Sequence, residues 1–235
     1  MSQNKDTYLD YPEEVTETFD EANFHIKYCL SFIKKYLKGE ILEVGAGCGS
    51  FTRNYFNKKI TSLTLTEKDK KNILRLSKKY SDNKNINVLN NYVSEIEKKF
   101  DVILYLHVLE HIKEDEYEIR KAVEKLNDNG ILIIMVPAHQ SIYSNLDKNV
   151  GHHRRYDSTF FKRKIEKLSL INFKYLDSSG YFLYFLNRIF FKKEEYPSKF
   201  KIFIWDKIFT PISAIIDFIL RYKVGKCILA VYKKN

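Results

Sequence analysis

Two stretches of this sequence carry groups able to do chemistry. The first is Gly45-Ala46-Gly47-Cys48-Gly49, which follows the apolar run Ile41-Leu42-Glu43-Val44 and precedes a segment able to form a helix from Ser50. A strand, a glycine turn and a helix bring backbone N–H groups against a ligand at a helix N-terminus. Glycine serves there because a side chain would fill the ligand's space or forbid positive φ. A bare tight turn uses the same residues, so the loop alone decides nothing. The second stretch is Gly151-His152-His153-Arg154-Arg155-Tyr156, inside a long polar segment from Ala138 to Asp157. His152 and His153 are candidate general bases, because imidazole titrates near neutral pH. Arg154 and Arg155 suit a phosphate or carboxylate held by paired N–H groups. Alternatively, each arginine pairs with Asp147 or Asp157 and fixes the loop.

These residues need a frame to position them. Phe19 to Leu37 reads as one or two helices, closed by Gly39, behind an N-terminal arm at Met1 to Thr18. Strands are expected at Glu40–Val44, Ile60–Thr66, Ile86–Leu89, Phe100–Leu106, Ile131–Val136, Phe173–Ser178 and Cys227–Tyr232. Lys70–Tyr80 and Glu114–Leu126 read as helices, Asp128-Asn129-Gly130 as a turn, and Ser158–Leu168 as a helix with Ser158 as N-cap. Helices alternating with apolar strands predict an α/β fold whose parallel sheet is covered on both faces.

At 235 residues, the chain has the length of one such domain with additions. The net charge of +10 and a pI near 9.2 are consistent with a solvated basic surface, or with attraction to a polyanion. No aromatic-and-basic RNA motif or DNA-reading helix is visible, so no nucleic-acid partner is expected. Cys29, Cys48 and Cys227 have no paired spacing and no metal-ligand pattern, so no metal is expected and a reducing cytoplasm is. The polar, acidic N-terminal segment predicts no signal peptide, and no apolar run is long enough to span a bilayer.

The order of features narrows the reading. A dinucleotide fingerprint would place its third glycine at position 50, where Ser50 stands, which disfavours a nicotinamide-dependent oxidoreductase. An acid before G-x-G-x-G resembles motif I of class I S-adenosylmethionine (SAM) dependent methyltransferases. Glu67 at the end of strand 2 stands where that family has a carboxylate for the ribose hydroxyls, and Val108-Leu109-Glu110-His111-Ile112 closely matches its fourth motif. The resemblance implies a Rossmann-like seven-stranded sheet with the last strand antiparallel between strands 5 and 6. It implies SAM as cofactor, S-adenosylhomocysteine as product, and a cofactor set of Glu43, Gly45, Ala46, Gly47, Gly49, Glu67, Asn91, Leu106 and His107. Asn90 and Asn91 replace the acid often found near the adenine, while Glu110 and His111 otherwise read as caps of the next helix.

A narrower resemblance covers Val136 to Tyr156, VPAHQSIYSNLDKNVGHHRRY. It is similar to a bacterial methyltransferase subgroup with a V-P-A…L-Y…D…G-H-x-R-R-Y pattern, often encoded near sugar-transferring enzymes. On that likeness Tyr143, Asp147, Arg154, Arg155 and Tyr156 face the acceptor, and the acceptor is a small molecule, such as a sugar or a polyprenyl-linked saccharide. A quinone or lipid is the alternative.

The organisation that follows is an arm with helices over 1–38, a SAM-binding core over 39–180, an aromatic and basic helical insertion over 181–223, and the last strand over 224–235. The insertion is expected either to fold over the acceptor cleft or to meet anionic lipid at the inner membrane face, with Lys192, Lys193, Lys199, Lys201 and Lys207 towards the headgroups. Pro197 and Pro211 are expected to break it.

Overall fold

Strand residues that must be buried on both faces of a sheet are apolar at nearly every position, and the alternation of side chains divides them between two cores. In the computed structural model, which describes residues 21–190 and 198–235, that division is complete along the central strands. The first half comprises α1 (Asn23–Ile33), β1 (Gly39–Val44), α2 (Thr52–Tyr55), β2 (Ile60–Thr66), α3 (Lys70–Tyr80), β3 (Ile86–Leu89) and β4 (Phe100–Leu106). The second half adds α4 (Asp115–Glu124), β5 (Leu126–Pro137), α5 (Asn145–Asn149), α6 (Ser158–Lys162) and β6 (Leu168–Leu176). It closes with α7 (Ser178–Phe190), α8 (Lys199–Ile204), α9 (Thr210–Ile219) and β7 (Cys227–Lys234). Ile103 and Tyr105 of β4 pack with Leu42, Ile119 and Ala122, whereas Val102 and Leu104 pack with Ile41, Leu65 and Ile33. Each fully buried side chain of this size contributes roughly 1.5–3 kcal/mol.

The sheet order is β3-β2-β1-β4-β5-β7-β6. Neighbours are parallel from β3 to β5, while β7 runs antiparallel between β5 and β6. This is the expected Rossmann-like seven-stranded arrangement. The C-terminal ends of β1, β2, β4 and β5 therefore lie along one edge, where an open α/β sheet places its ligand.

Several boundaries differ from the expectation. Asp128-Asn129-Gly130 is not a turn before the strand but a bulge inside β5: the pairing steps from Phe100↔Leu126 to Val102↔Ile131, with Asn129 at φ 62°. The helix from Ser158 ends at Lys162, its N-cap is Asp157, and β6 begins at Leu168 because β7 pairs with it from Lys234 back to Cys227. Pro211 does not break its helix. It follows a π-helical turn, Trp205–Phe209, whose wider winding relieves the clash between a proline ring and the carbonyl one turn back. Met1–Thr18, Lys192, Lys193 and Pro197 lie outside the described residues.

The insertion between β6 and β7 is inverted relative to an ordinary surface helix. Asp206, Thr210, Ser213 and Asp217 are buried, while Phe200, Phe203, Ile215, Phe218 and Ile219 are exposed, Phe218 at 72%. The inward polar face has work to do. Asp217 accepts from the Asp177 and Ser178 amides at the start of α7, at 2.8 and 2.9 Å, and Asp206 accepts from the His25 amide in α1 at 2.9 Å. Orphan N–H groups at helix starts thus draw carboxylates inward.

Candidate cofactor and acceptor site

The glycine loop joins β1 to α2 at the ligand edge. Gly45 has φ +63°, and a Cβ there would lie 2.8 Å from both methyl groups of Val108. Gly47 has φ +57°, but a Cβ there would meet nothing within 4 Å, so this glycine borders open space. Beside it, β2 ends at Glu67. Its Oε2 accepts from the Gly47 amide at 2.7 Å, and its Oε1 accepts from the amides of Lys68 and Asp69 at 2.7 and 2.8 Å. An ionised carboxylate retains further lone pairs, so a fixed Glu67 can still accept from a ribose diol. An open glycine, backbone N–H groups and a fixed acceptor fit the SAM nucleoside and its tail.

Glu43 has a different place from the one the sequence assigned. Its carboxylate is buried under the loop, where Oε2 accepts from the hydroxyls of Thr52 at 2.5 Å and Tyr55 at 2.6 Å. Burial pushes its carboxyl up to about 7, against the opposing pull of the two hydroxyls. Glu43 ties β1 to α2 and positions the loop. Leu106 is buried at the end of β4, and His107 turns the chain at φ 59° with its ring 6.3 Å from Phe51. Asn91 reaches Glu95 at 3.5 Å, and Ala46 is buried with its amide donating to the Thr66 carbonyl at 2.9 Å.

The segment after β5 is held by charge. Asp147 is buried, and its Oδ1 meets His152 Nδ1 at 2.9 Å and Arg155 Nε at 2.8 Å. Burial alone would raise the Asp147 carboxyl; the hydrogen bonds and charges of His152 and Arg155 outweigh it and hold the group well below the usual carboxylate range. Arg155 also donates to the Ala138 carbonyl at 3.3 Å and lies 4.5 Å from the Tyr184 ring centre. Arg154 bonds Asp115 Oδ2 and the Lys113 carbonyl, each at 2.7 Å. Tyr156 is buried and donates to Asp115 at 2.8 Å, while Tyr143 donates to the His152 carbonyl at 2.6 Å.

Comparison with known proteins settles the family. A family model described as a methyltransferase domain matches residues 19–175. The chain belongs to that family. Among solved structures, the methyltransferase is similar to coclaurine N-methyltransferase bound to N-methylheliamine and S-adenosylhomocysteine, at 13% identity and TM-score 0.65, over 97% of this chain and 81% of that one. It is similar to the N-methyltransferase NodS from Bradyrhizobium japonicum WM9 with S-adenosylhomocysteine, at 16% identity and TM-score 0.57, over 98% and 93%. It is also similar to the [4+2]-cyclase SpnF, at 12% identity and TM-score 0.60, over 88% and 80%. At such identities the likeness is one of fold. A search of curated protein sequences returned no match. The protein is a class I SAM-dependent methyltransferase, and SAM is its cofactor.

The methyltransferase brings together only part of the acceptor set that the sequence proposed. Arg154, Arg155 and Tyr156 spend their polar groups on Asp115, Asp147 and backbone carbonyls, so they pin the loop rather than wait for an anion. A guanidinium drawn below the surface requires a carboxylate, and Asp115, not Asp157, supplies one of them. The two histidines part company. His152 turns inward to Asp147, whereas His153 is exposed and its amide donates to the Glu110 carbonyl at 2.8 Å. Glu110 and His111, which belong to the fourth motif and had helix capping as their alternative reading, are buried and half-buried beside His152, with the His111 and His152 ring centres 4.7 Å apart. Burial lowers His111 to about 4, against the pull of Glu110. The adjacent pair in the fourth motif was the signal available for them.

Proposed function

We propose that this methyltransferase methylates an oxygen or nitrogen of a small-molecule acceptor, of which a saccharide or lipid-linked saccharide is the favoured class. The observation that carries the reading is the fixed Glu67 carboxylate beside the open space at Gly47. Bound SAM supplies a methyl group on a sulfonium, open to in-line attack. The protein's own part is to hold two reactants at close range and to take a proton if the acceptor is a hydroxyl. His152 suits that part: with its Nδ1 directed to Asp147, its Nε2 has the lone pair that accepts. The saccharide reading rests on the Val136–Tyr156 pattern and on the insertion.

The inverted insertion supports an acceptor met at a membrane surface. Phe200, Phe203, Ile215 and Phe218 turn outward near the exposed Lys199 and Lys201, a combination suited to acyl chains beneath anionic headgroups. Among the described residues no helix is long and apolar enough to cross a membrane, so contact would be peripheral. This face also favours a second reading, a quinone or other lipid as acceptor.

Calorimetry with SAM followed by transfer of labelled methyl to nucleotide sugars, polyprenyl-phosphate sugars, quinols and free amines tests the proposal. Transfer to the polyprenyl-linked sugars and not to the others is the expected result. Transfer confined to quinols would establish the second reading, and transfer confined to free amines would end both acceptor classes and leave only N-methylation of another small molecule.

A further inference from the structure

Glu110 carries a buried carboxylate, neither oxygen of which has a hydrogen-bond partner. His107 Nδ1 stands 3.6 Å away and His152 Nε2 stands 3.9 Å away, within ion-pair reach but longer than a hydrogen bond. The neighbouring imidazoles hold this carboxylate in its ionised form against the cost of burial, yet neither oxygen receives a hydrogen bond, and buried carboxylates in folded proteins seldom lack one.

What surrounds it is a set of oriented imidazoles. His152 Nδ1 lies 2.9 Å from Asp147 Oδ1, and His111 Nδ1 lies 3.3 Å from the Gly151 carbonyl. Both partners are acceptors, so each ring carries its proton on Nδ1 and presents a lone pair at Nε2. A histidine whose far nitrogen donates to a carboxylate or a carbonyl is oriented as metal-ligating histidines are. One ligand atom from each of Glu110, His111 and His152 lies within 4.8 Å of the others. Around an ion with bonds of about 2.1 Å, donors sit about 3.4 Å apart, so small side-chain movements close the shell.

We propose that Glu110, His111 and His152 bind one divalent transition-metal ion of the Zn²⁺, Mn²⁺ or Co²⁺ kind. Two imidazoles and one carboxylate suit such ions better than Mg²⁺ or Ca²⁺, which favour oxygen throughout. Three protein ligands leave a coordination position open, beside the stretch assigned to the acceptor. The inference goes beyond the acceptor reading and does not depend on it, because binding is read without turnover. With the ion bound His152 serves as a ligand; its part as a base belongs to the metal-free protein.

A second cluster, His25, His107 and Cys227, supplies the internal control because it contains sulfur. The experiment titrates Co²⁺ into chelator-treated protein and follows visible and near-ultraviolet absorption. One Co²⁺ per chain with visible bands and no thiolate charge-transfer band is expected. Glu110→Gln should weaken binding at least about tenfold, and Cys227→Ser should leave it unchanged. A thiolate band, no binding at micromolar Co²⁺, or wild-type binding by Glu110→Gln would each overturn the proposal. Should Glu110→Gln fail to fold, the wild-type spectrum decides between the two clusters.

Discussion

Arg155 donates from Nε to Oδ1 of Asp147 across 2.8 Å, with both side chains buried. The same oxygen faces His152, so one carboxylate fixes an arginine and a histidine together. Arg155→Ala should therefore cost about 3–5 kcal/mol, since it strands a buried charge. Arg154 is a third exposed, and its partner Asp115 keeps the Tyr156 hydroxyl, so Arg154→Ala should cost about 1 kcal/mol. Denaturant unfolding of both variants measures this. Equal losses, or no loss at Arg155, would contradict the division of labour.

The glycine loop predicts a contrast between two small changes. Gly45→Ala places a methyl against Val108 and should destabilise the fold by more than Gly47→Ala, which adds its methyl to open space and bears only the strain of positive φ, about 1–2 kcal/mol. Gly47→Val should abolish SAM binding while the fold survives. Thermal midpoints and calorimetry on the same samples separate the two effects, and SAM affinity retained in Gly47→Val would place the cofactor elsewhere.

Glu67→Ala removes the acceptor for three backbone amides and should weaken SAM by roughly 1–3 kcal/mol. Glu67→Gln, which keeps an acceptor of the same shape, should lose less. The ratio of the two dissociation constants checks this directly; if the Gln variant binds no better than the Ala variant, charge alone matters.

Glu43 predicts a pH effect with a definite sign. Its carboxyl is raised from 4.5 to about 7 in the folded state, chiefly by burial. The associated stability is fully present below pH about 4.5 and is lost as pH rises through about 7. Relative to Glu43→Gln, the wild type should lose about 3 kcal/mol between pH 4 and pH 8. Unfolding free energies of the two proteins across that range give the difference, and a constant gap would show that Glu43 is already ionised in the acid range.

The outward face of the insertion should bind vesicles. Flotation with anionic liposomes at low salt is expected to carry the wild type, and Ile215→Ser with Phe218→Ser should abolish it without lowering the thermal midpoint, because both residues are exposed. Absence of the wild type from anionic and neutral vesicles alike would remove the membrane contact.

Much of the cofactor half was legible in the residues. β2, β3, β4 and α3 begin and end where local pattern places them: β4 is an almost continuous apolar run because it is buried on both faces, β2 is rich in β-branched residues, and Asp69 caps the helix that follows. That Gly47 and Glu67 would be neighbours was legible too, since each lies just past the end of a strand and β1 and β2 pair in parallel. The tertiary structure alone decided which of His152 and His153 turns inward, that Asp115 rather than Asp157 holds Arg154, and that α8 and α9 face their apolar side outward. Adjacent histidines have the same composition and nearly the same local propensity; only the position of Asp147 distinguishes them. A helix's burial face likewise depends on what it packs against, and the orphan amides of α1 and α7 that pull Asp206 and Asp217 inward are far from them in sequence.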